Sequence, residues 1–331
     1  MIGSDVRALV AALKENHPHI YACVDLDRVE QLNETTATST DDFGAASAGG
    51  RGDSYIVAQQ ATLTRAHGVQ ELVGIITRHG RADSDMVLDL LGGDGLINRV
   101  RTSLGHERPL IVTCDASPFM VEAALALGIP AVLQRAEASL FRTSSVGGVL
   151  LAYGTHHIGR ESRQTVADEA FRVIQPGGVF VLHDFATGSP VDTWFGKVVD
   201  AYSATGHRYD HFERDEIASY LHQAGFADVN VITMEDPFQI WGNTADQAEQ
   251  EMGRYLVNMY GLVKLEAEFG PQEAGRRAME LGRDIFRYAE PDGTFVEAQT
   301  EYDETRQMWS TTLPRRALVG YGTKPRSQAC A

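Results

Sequence analysis

The sequence is poor in cysteine, in basic relative to acidic residues, and in long apolar runs. Cys23, Cys114 and Cys330 lie far apart and outside any Cys-x-x-Cys pair, so they predict reduced thiols without a disulfide framework or a cysteine-ligated zinc site. The formal net charge of −16 disfavours a nucleic-acid partner, because phosphate binding depends on Lys and Arg. No apolar run approaches the ~20 residues of a membrane span, and no basic segment followed by an apolar one opens the sequence. We therefore expect a cytoplasmic protein that acts neither on nucleic acid nor on a membrane.

Short apolar or β-branched runs alternate with helical stretches through the middle of the 331-residue chain. Such alternation predicts an α/β fold in which a parallel sheet is covered on both faces. Ligands of these sheets bind beyond the carboxyl ends of the strands, so the residues after each run are the first candidates for function. The runs are MVLDLL (86–91), PLIVTCD (109–115), AVLQRAE (131–137), GVLLAYG (148–154), GVFVLHD (178–184) and VNVIT (229–233).

Helical segments flank this core on both sides. Apolar spacing predicts a helix over 4–15 and helical structure over 55–79 that Gly68 divides, with a loop rich in Thr, Ser, Asp, Ala and Gly over 34–54. The Arg-Gly-Asp tripeptide in that loop is too short a motif to assign an adhesion function. Residues 247–310 are predicted to form a second helical block before a last strand, RRALVGYGT (315–323).

The glycine cluster in VLDLLGGDGLI, residues 87–97, is the strongest local signal. A strand carrying Asp89 leads into Gly92, Gly93 and Gly95, and a helix follows whose first N–H groups are free to meet a ligand. Nucleotides, dinucleotides and sulfonium cofactors all fit such a turn. The dinucleotide fingerprint needs a third glycine where this sequence has Asn98.

Six motifs in order resemble those of the class I S-adenosylmethionine-dependent methyltransferases. They are VLDLLGGDG, VTCDAS, RAEASLF, LLAYGTHHI, IQPGGVFVL and the QAGF segment before the sixth strand. The resemblance departs at Leu91, which replaces the first glycine of the family's acidic-x-Gly-x-Gly-x-Gly motif. It implies a Rossmann-like seven-stranded, mostly parallel sheet with an antiparallel last strand, an N-terminal helical layer and a helical cap insertion. The implied regions are an N-terminal lid and homodimerisation region (1–84), a cofactor-binding core (85–234 plus 313–324) and a substrate cap (235–312).

The resemblance also assigns S-adenosylmethionine contacts. Asp89 and the Gly93–Gly95 backbone would hold the methionine part, Asp115 would accept both ribose hydroxyls, and Glu137 would lie by the adenine amino group. Ionised carboxylates suit these roles because they are pure hydrogen-bond acceptors. The full predicted set is Asp89, Gly92, Gly93, Gly95, Asp115, Ala116, Glu137, Ala138 and Tyr153.

Three histidines at strand ends are candidate bases for methyl transfer. His156 and His157 follow the fourth strand, where alternation predicts that one of them reaches the acceptor, and His183 ends the fifth. A packing role is the alternative for each of the three, whereas His207 and His211 are predicted on the surface or a lid. His183, Asp184 and either Glu235 or Asp236 have metal-ligand residue types, but no second histidine stands at helical or hairpin spacing, so the sequence assigns no metal.

The acceptor is predicted to be a small molecule. The fourth motif lacks the Asn/Asp-Pro-Pro-aromatic pattern of nucleic-acid amino-methylases, and aromatic residues follow in and after MEDPFQIWG (234–242). Arg254, Arg283, Arg315 and Arg316 are candidates to grip a carboxylate, although each is more typical of a surface position. The predicted substrate contacts are Phe238, Trp241, Tyr255, Tyr260 and Asp184.

The layout resembles bacterial natural-product methyltransferases, some of which C-methylate aromatic amino acids or 2-oxo acids. The resemblance therefore favours C-methylation of an aromatic amino-acid-like acceptor. O-methylation of a phenol is the alternative reaction, and a protein that binds the cofactor without methylating anything is the alternative class.

Overall fold

The computed structural model describes residues 6–33, 42–80 and 86–326. Cys330, the first two residues of the predicted helix over 4–15 and residues 34–41 of the predicted loop lie outside these ranges. None of the described helices is long and apolar enough to cross a membrane.

The N-terminal region is helical. It comprises α1 (Val6–Asn16), α2 (Pro18–Tyr21), α3 (Leu26–Asn33), α4 (Gly52–Gln59) and α5 (Ala66–His79), with 3₁₀ turns at Ala46–Ala48 and Thr62–Arg65. The apolar face of α1 is buried within the chain itself, because Val6, Leu9, Val10 and Leu13 belong to the core that includes strand residues of the central sheet.

The predicted break at Gly68 is wrong. The break falls at 60–65, and Gly68 lies inside α5. A Cβ at Gly68 would lie 1.9 Å from Oδ1 of Asp236 and 2.7 Å from the hydroxyl of Tyr153. Glycine at this position therefore lets the helix pack closely on two side chains of the core, which outweighs the helix propensity it costs.

Within the described ranges, twelve strands follow. They are β1 (Met86–Leu90), β2 (Leu110–Asp115), β3 (Ala131–Leu133), β4 (Val146–Leu151), β5 (Ile174–Asp184), β6 (Ala227–Glu235), β7 (Phe238–Gly242), β8 (Tyr288–Ala289), β9 (Phe295–Val296), β10 (Gln299–Asp303), β11 (Met308–Leu313) and β12 (Arg316–Thr323).

The central sheet has seven strands in the order β3-β2-β1-β4-β5-β12-β6. Strands β1 to β5 pair in parallel, whereas β12 is antiparallel to both of its neighbours, with Leu318 opposite Asp184 on β5 and Thr233 on β6. The predicted Rossmann-like sheet with an antiparallel last strand is therefore confirmed. Helices connect these strands: α6 (Leu96–Ser103), α7 (Pro118–Ala126), α8 (Arg160–Val173), α9 (Pro190–Trp194), α10 (Asp200–Tyr202) and α11 (Arg214–Ala224).

The segment between β6 and β12 forms a second core. Helices α12 (Ala245–Tyr260), α13 (Val263–Phe269) and α14 (Pro271–Ile285) pack with a three-stranded antiparallel sheet of order β10-β11-β7. The prediction of helix as far as residue 310 is wrong beyond Ile285. The residues after it alternate between the two faces of short strands, and an aromatic cross-strand pair, Tyr302 opposite Trp309, replaces helical spacing.

Candidate active site

The loop after β1 is tied to the end of β2 by one carboxylate. Gly93 and Gly95 adopt φ of 56° and 82°, and Gly95 caps the start of α6. The backbone N–H of Gly93 donates to Oδ2 of Asp115 at 2.8 Å, and that of Ser117 donates to Oδ1 at 2.9 Å. Asp115 is thereby fixed at the mouth of the sheet with its remaining lone pairs directed at the loops around it.

A cavity of about 560 Å³ opens at the carboxyl ends of the parallel strands. Five of the nine predicted cofactor residues line it, namely Gly93, Asp115, Ala116, Glu137 and Tyr153. Asp89, Gly92, Gly95 and Ala138 are not among the lining residues. Within the cavity wall, Nε of Arg135 donates to Oε1 of Glu137 at 2.6 Å, which orients the carboxylate.

Asp89 lies behind the glycine loop. The residue is 1% exposed, and Oδ2 has no hydrogen-bond partner among the described residues. Burial, together with the nearby charge of Asp115, raises its pKa well above the usual range. A Cβ on Gly92 would lie 2.8 Å from Oδ2, so the carboxyl packs directly beneath the turn.

Two residues of the cavity wall have unusual backbone angles. Leu91, the departure from the glycine motif, has φ of 64°, and Tyr153 has φ of 63°. Side-chain-bearing residues in this region cost on the order of 1–3 kcal/mol each and tend to cluster at functional sites. Leu91 therefore keeps the conformation that glycine would adopt, and the departure from the motif leaves the path of the loop unchanged.

A smaller inner pocket adjoins the cavity. Phe43, Tyr55, Tyr153 and His157 line both. The inner pocket is completed by Arg51, Arg65, His156, Phe185, Phe195, Met259, Tyr260 and Arg315. Its walls thus combine guanidinium groups with aromatic rings.

Arg315 and Asp236 form a buried ion pair at the back of the inner pocket. Both side chains are at most 3% exposed, and Nε of Arg315 also donates to the backbone oxygen of Asp236 at 3.0 Å. The guanidinium lies 3.6 Å from the ring centroid of Phe238. Burial alone would raise the pKa of Asp236, but the positive charge of Arg315 outweighs it and holds the pKa below the usual range.

The other two arginines have no such partner. Nε of Arg65 donates to the hydroxyl of Tyr255 at 3.1 Å, and Arg51 lies 4.2 Å from the ring centroid of Phe43. Within the described ranges, no carboxylate oxygen lies within ion-pair distance of either guanidinium. Arg315 is paired with Asp236, whereas Asp42 acts on Arg51 and Asp94 acts on Arg65 only from beyond ion-pair distance, so the inner pocket has a positive character.

His156 and His157 both line the inner pocket, and the prediction that one of them reaches the acceptor stays a prediction. They stand on a 3₁₀ turn, Thr155–His157, rather than on the strand, and the alternation of strand residues does not apply. Nε2 of His157 lies 3.4 Å from a guanidinium nitrogen of Arg51. Arginine only donates, so this nitrogen presents its lone pair. Burial, followed by the charges of His156 and Arg51, lowers the pKa of His157 well below its usual range.

His183 is fully buried and lines neither the cavity nor the inner pocket. Its Nδ1 accepts from the backbone N–H of Tyr153 at 3.4 Å, and its Nε2 lies 3.7 Å from Oδ2 of Asp236. The ring packs against that of Tyr153 with centroids 4.5 Å apart. His183 therefore packs behind Tyr153 and Asp236, two residues around the pocket.

Of the two positions predicted for His207 and His211, the surface is wrong, and the lid stays a prediction. They are 8% and 4% exposed, and each ring centroid lies 5.0 Å from that of His156. The segment between α10 and α11 folds back onto the turn after β4, and Phe195 stacks on His207 at 4.1 Å. Spacing in the sequence could not reveal this return of the chain.

The predicted substrate residues separate into two groups. Tyr260 lines the inner pocket, Phe238 and Tyr255 pack behind its arginines, and Asp184 lies beneath His156. Trp241 is the exception. It belongs to the small sheet, where Arg306 covers its ring at 5.1 Å, so its prediction as a pocket residue is wrong.

Of the four candidate arginines, Arg315 alone enters the pocket. Arg254, Arg283 and Arg316 pair with acidic side chains near the surface, namely Glu251, Glu249 and both Glu235 and Glu290. The sequence analysis missed the contribution of the N-terminal region, which supplies Phe43, Arg51, Tyr55 and Arg65. Arg51 is the first residue of the Arg-Gly-Asp tripeptide, and nothing in the local pattern distinguishes it from a loop arginine.

A family model described as a methyltransferase domain matches residues 88–182. This range contains the glycine loop, Asp115 and the turn with His156 and His157. The match identifies this range as a methyltransferase domain. The predicted enzyme class and cofactor are thereby confirmed, and S-adenosylmethionine is the cofactor of this methyltransferase. Lone pairs of Asp115 and Glu137 in the cavity wall fit its hydroxyl and amino donors.

Solved structures resemble the chain in fold. YcgJ of Bacillus subtilis is 19% identical, over 78% of this chain and 99% of its own, with a TM-score of 0.46. A methyltransferase of Thermotoga maritima is 14% identical, over 82% and 95%, with a TM-score of 0.46. Phosphoethanolamine N-methyltransferase 2 of Haemonchus contortus, in complex with phosphomonomethylethanolamine and S-adenosylhomocysteine, is 16% identical, over 82% and 57%, with a TM-score of 0.49. No curated protein sequence matches the chain.

Proposed function

We propose that this methyltransferase transfers a methyl group to carbon on a small aromatic acid of the amino-acid or 2-oxo-acid type. The observation that carries the proposal is the inner pocket, which joins three guanidinium groups and several aromatic rings directly beside the cofactor cavity.

The arginines favour an acceptor with a carboxylate. Arg315 is already neutralised by Asp236, whereas Arg51 and Arg65 have no acidic partner within the described ranges. Buried, unpaired cations are costly, and a bound carboxylate would offset that cost with charge-assisted hydrogen bonds. A planar guanidinium also suits bidentate recognition of a carboxylate.

The remaining walls favour an aromatic body. Phe185, Phe195 and Tyr260 face the pocket, and the rings of Phe195 and Tyr260 meet edge to face at 5.4 Å. Such rings offer apolar surface and edge or face contacts to a flat acceptor. The pocket is small in this structure, so we expect the N-terminal residues Phe43 and Tyr55 to move apart when the acceptor enters.

We propose His157 as the general base. It lies in the walls of both the cofactor cavity and the inner pocket, so it can reach the proton of an acceptor that is held beside the methyl donor. In the reaction the acceptor carbon attacks the sulfonium methyl and forms the new C–C bond. The C–S bond breaks with its electron pair on sulfur, and the proton lost by the acceptor goes to the imidazole.

A set of acceptors tests the proposal. Aromatic amino acids and aromatic 2-oxo acids, each beside its carboxamide, would be incubated with S-adenosylmethionine, and S-adenosylhomocysteine and the methylated product would be measured. We expect turnover of acids, weak turnover of amides, and NMR signals of a C-methyl group. An O-methyl product would establish O-methylation instead. Cofactor binding with no turnover of any aromatic acceptor would contradict the proposal and favour a protein that binds without methylating.

A matched pair of arginine variants tests the carboxylate grip. Arg51→Met should raise KM for the acid about 10–100-fold, the loss expected for one or two charge-assisted hydrogen bonds, while KM for the amide changes little. Arg254→Met, which removes an exposed arginine paired with Glu251, is the control and should leave both constants near native. Equal effects of Arg51→Met on acid and amide would contradict a carboxylate at this position.

The proposal includes a role in natural-product biosynthesis in the cytoplasm and a homodimer formed through the N-terminal helices. The apolar face of α1 is covered within the chain, so such a dimer would have to use other residues of this region. Light scattering coupled to gel filtration would measure the oligomeric state directly.

A further inference from the structure

Histidines from two distant segments meet beside the inner pocket. His156 stands on the turn after β4, and His207 and His211 come from the segment between α10 and α11. The ring centroids of His207 and His211 are each 5.0 Å from that of His156, and 6.0 Å from one another. The π-helical stretch Phe195–Val199 places Phe195 against His207 and closes one side of the group.

Carboxylates hold two of these imidazoles by Nδ1. Nδ1 of His156 lies 3.0 Å from both carboxylate oxygens of Asp184, and Nδ1 of His211 lies 2.7 Å from Oδ1 of Asp192. A carboxylate of this kind accepts, so Nδ1 carries the proton of the neutral ring and Nε2 presents a lone pair.

The Nε2 atoms have nothing to bind. Nε2 of His156, of His207 and of His211 is buried and has no hydrogen-bond partner among the described residues. Leaving one such atom unpaired costs about 1–3 kcal/mol, so three in one cluster need an explanation. Ligand atoms of His156, His157 and His207 lie within 4.8 Å of one another, as do those of His156, Asp184 and His211. His156 belongs to both groups.

We infer that His156, His207 and His211 close on one divalent transition-metal ion and bind it through Nε2, with Asp184 and Asp192 as the carboxylates that orient two of the ligands. His207 and His211 each share a group of ligand atoms within 4.8 Å with His156 but not with one another, so binding brings these two imidazoles together. Imidazole nitrogens suit Zn²⁺, Fe²⁺, Ni²⁺ and Cu²⁺, and a ligating histidine commonly donates its other ring N–H to a carboxylate. His157 is left out because its Nε2 faces the guanidinium of Arg51, a cation that a metal ion would repel.

The negative charges of Asp184 and Asp192 partly balance a divalent ion. Since His156 also lines the inner pocket, free coordination positions of the ion would face the space proposed for the acceptor.

Metal binding can be measured without cofactor or acceptor, so this inference does not rest on the proposed function. The protein would be prepared without a histidine tag, treated with chelator, and titrated with Co²⁺ while its visible absorption is recorded, followed by competition with Zn²⁺. We expect one equivalent per chain with ligand-field bands of nitrogen coordination. Metal analysis of the protein as purified should find a transition metal at up to one equivalent per chain.

Variants identify the ligands. His207→Gln and His211→Gln should each weaken Co²⁺ binding at least about 100-fold, and Asp192→Asn should weaken it on the order of 10–100-fold. His222→Gln, which changes an exposed histidine on α11, is the control and should bind as the native protein does. Melting curves without metal would show that Asp192→Asn, half exposed and outside the buried cluster, stays folded.

Two results would overturn the inference. One is a native protein that binds no Co²⁺ or Zn²⁺ beyond what a surface histidine explains. The other is native-like affinity in both His207→Gln and His211→Gln. If either glutamine variant fails to fold, two other measurements decide. An unchanged Co²⁺ affinity in folded Asp192→Asn, together with a melting temperature of the native protein that metal does not raise, would also count against the inference.

Discussion

The hydroxyl of Tyr153 donates a hydrogen bond to Oδ1 of Asp236 at 3.2 Å. Tyr153 forms part of the cavity wall after β4, and Asp236 opens the segment inserted between β6 and β12. Because Asp236 also pairs with Arg315 at the other end of that segment, one carboxylate connects the cofactor cavity, the start of the insertion and its end. Substitutions around Asp236 should therefore affect both stability and the shape of the inner pocket.

Gly68→Ala should destabilise the protein although alanine is the better helix former. Its Cβ would lie 1.9 Å from Oδ1 of Asp236, and relieving that overlap requires α5 or the Asp236–Arg315 pair to move. Overpacking of this kind costs about 1–3 kcal/mol. Urea unfolding would measure the loss.

Gly74→Ala in the same helix is the matched control. The nearest atom to its added Cβ is Nη1 of Arg78, the far end of a flexible side chain, at 2.8 Å. Alanine there should be neutral or stabilise by up to about 1 kcal/mol. Similar free energies of unfolding for the two variants would show that Asp236 does not constrain α5.

Asp236→Ala should lower the free energy of unfolding by about 3–5 kcal/mol near neutral pH, because it leaves the guanidinium of Arg315 buried without its partner. In the folded state burial raises the pKa of Asp236, but the positive charge of Arg315 lowers it by more. The pKa therefore lies below its usual value. The stabilisation is thus present above the unfolded pKa of about 3.9 and is lost as pH falls through the folded pKa. The difference between native protein and variant should be constant above about pH 5 and shrink below about pH 4.

Glu235→Ala supplies the comparison for an exposed pair one residue away. The side chain of Glu235 is 52% exposed and bonds to Arg316. Surface pairs contribute about 0–1 kcal/mol, so this variant should unfold almost as the native protein does. If Glu235→Ala lowered the free energy of unfolding as much as Asp236→Ala does, burial of the Asp236–Arg315 pair would have no special effect.

The sheet and its cofactor loop were predictable because local pattern determines them. Buried parallel strands read as short apolar runs, and the turn after β1 needs glycine at Gly93 and Gly95, where φ is positive. At the departure from the motif, Leu91 adopts φ of 64° in a loop that is held by the hydrogen bond from Gly93 to Asp115.

The inner pocket could not be predicted, because it is assembled from residues far apart in the chain. Arg51 and Arg65 come from the N-terminal region and Arg315 from the residues just before β12. His207 and His211, which pack on His156 beside the pocket, come from a loop without regular structure. Periodicity describes one element at a time. It therefore identified Arg315 only as one of four equivalent candidates, and it placed His207 and His211 on the surface or a lid.

Asp115→Ala should abolish cofactor binding while the fold is kept. The carboxylate accepts from the N–H groups of Gly93 and Ser117, and we expect it to accept from the ribose hydroxyls as well. Hydrogen bonds to a charged group contribute about 1.5–3 kcal/mol each, so losing two corresponds to about 10²–10⁴-fold in Kd. Calorimetric titration with S-adenosylhomocysteine would measure it, with Asp168→Ala, an exposed aspartate on α8, as control. Equal affinity in Asp115→Ala would place the ribose elsewhere.

His157→Ala should lower kcat by about 10²–10⁴-fold, the usual contribution of a positioned base, while Kd for S-adenosylhomocysteine changes little. His183→Gln is the informative comparison, since His183 is equally a histidine at a strand end but is buried behind Tyr153 and lines neither space. We expect it to lower the melting temperature and to lower kcat less than His157→Ala does. Imidazole added to His157→Ala should restore part of the activity, which a purely structural role of His157 would not allow. A larger loss of kcat in His183→Gln, without rescue of His157→Ala, would transfer the role of base away from His157.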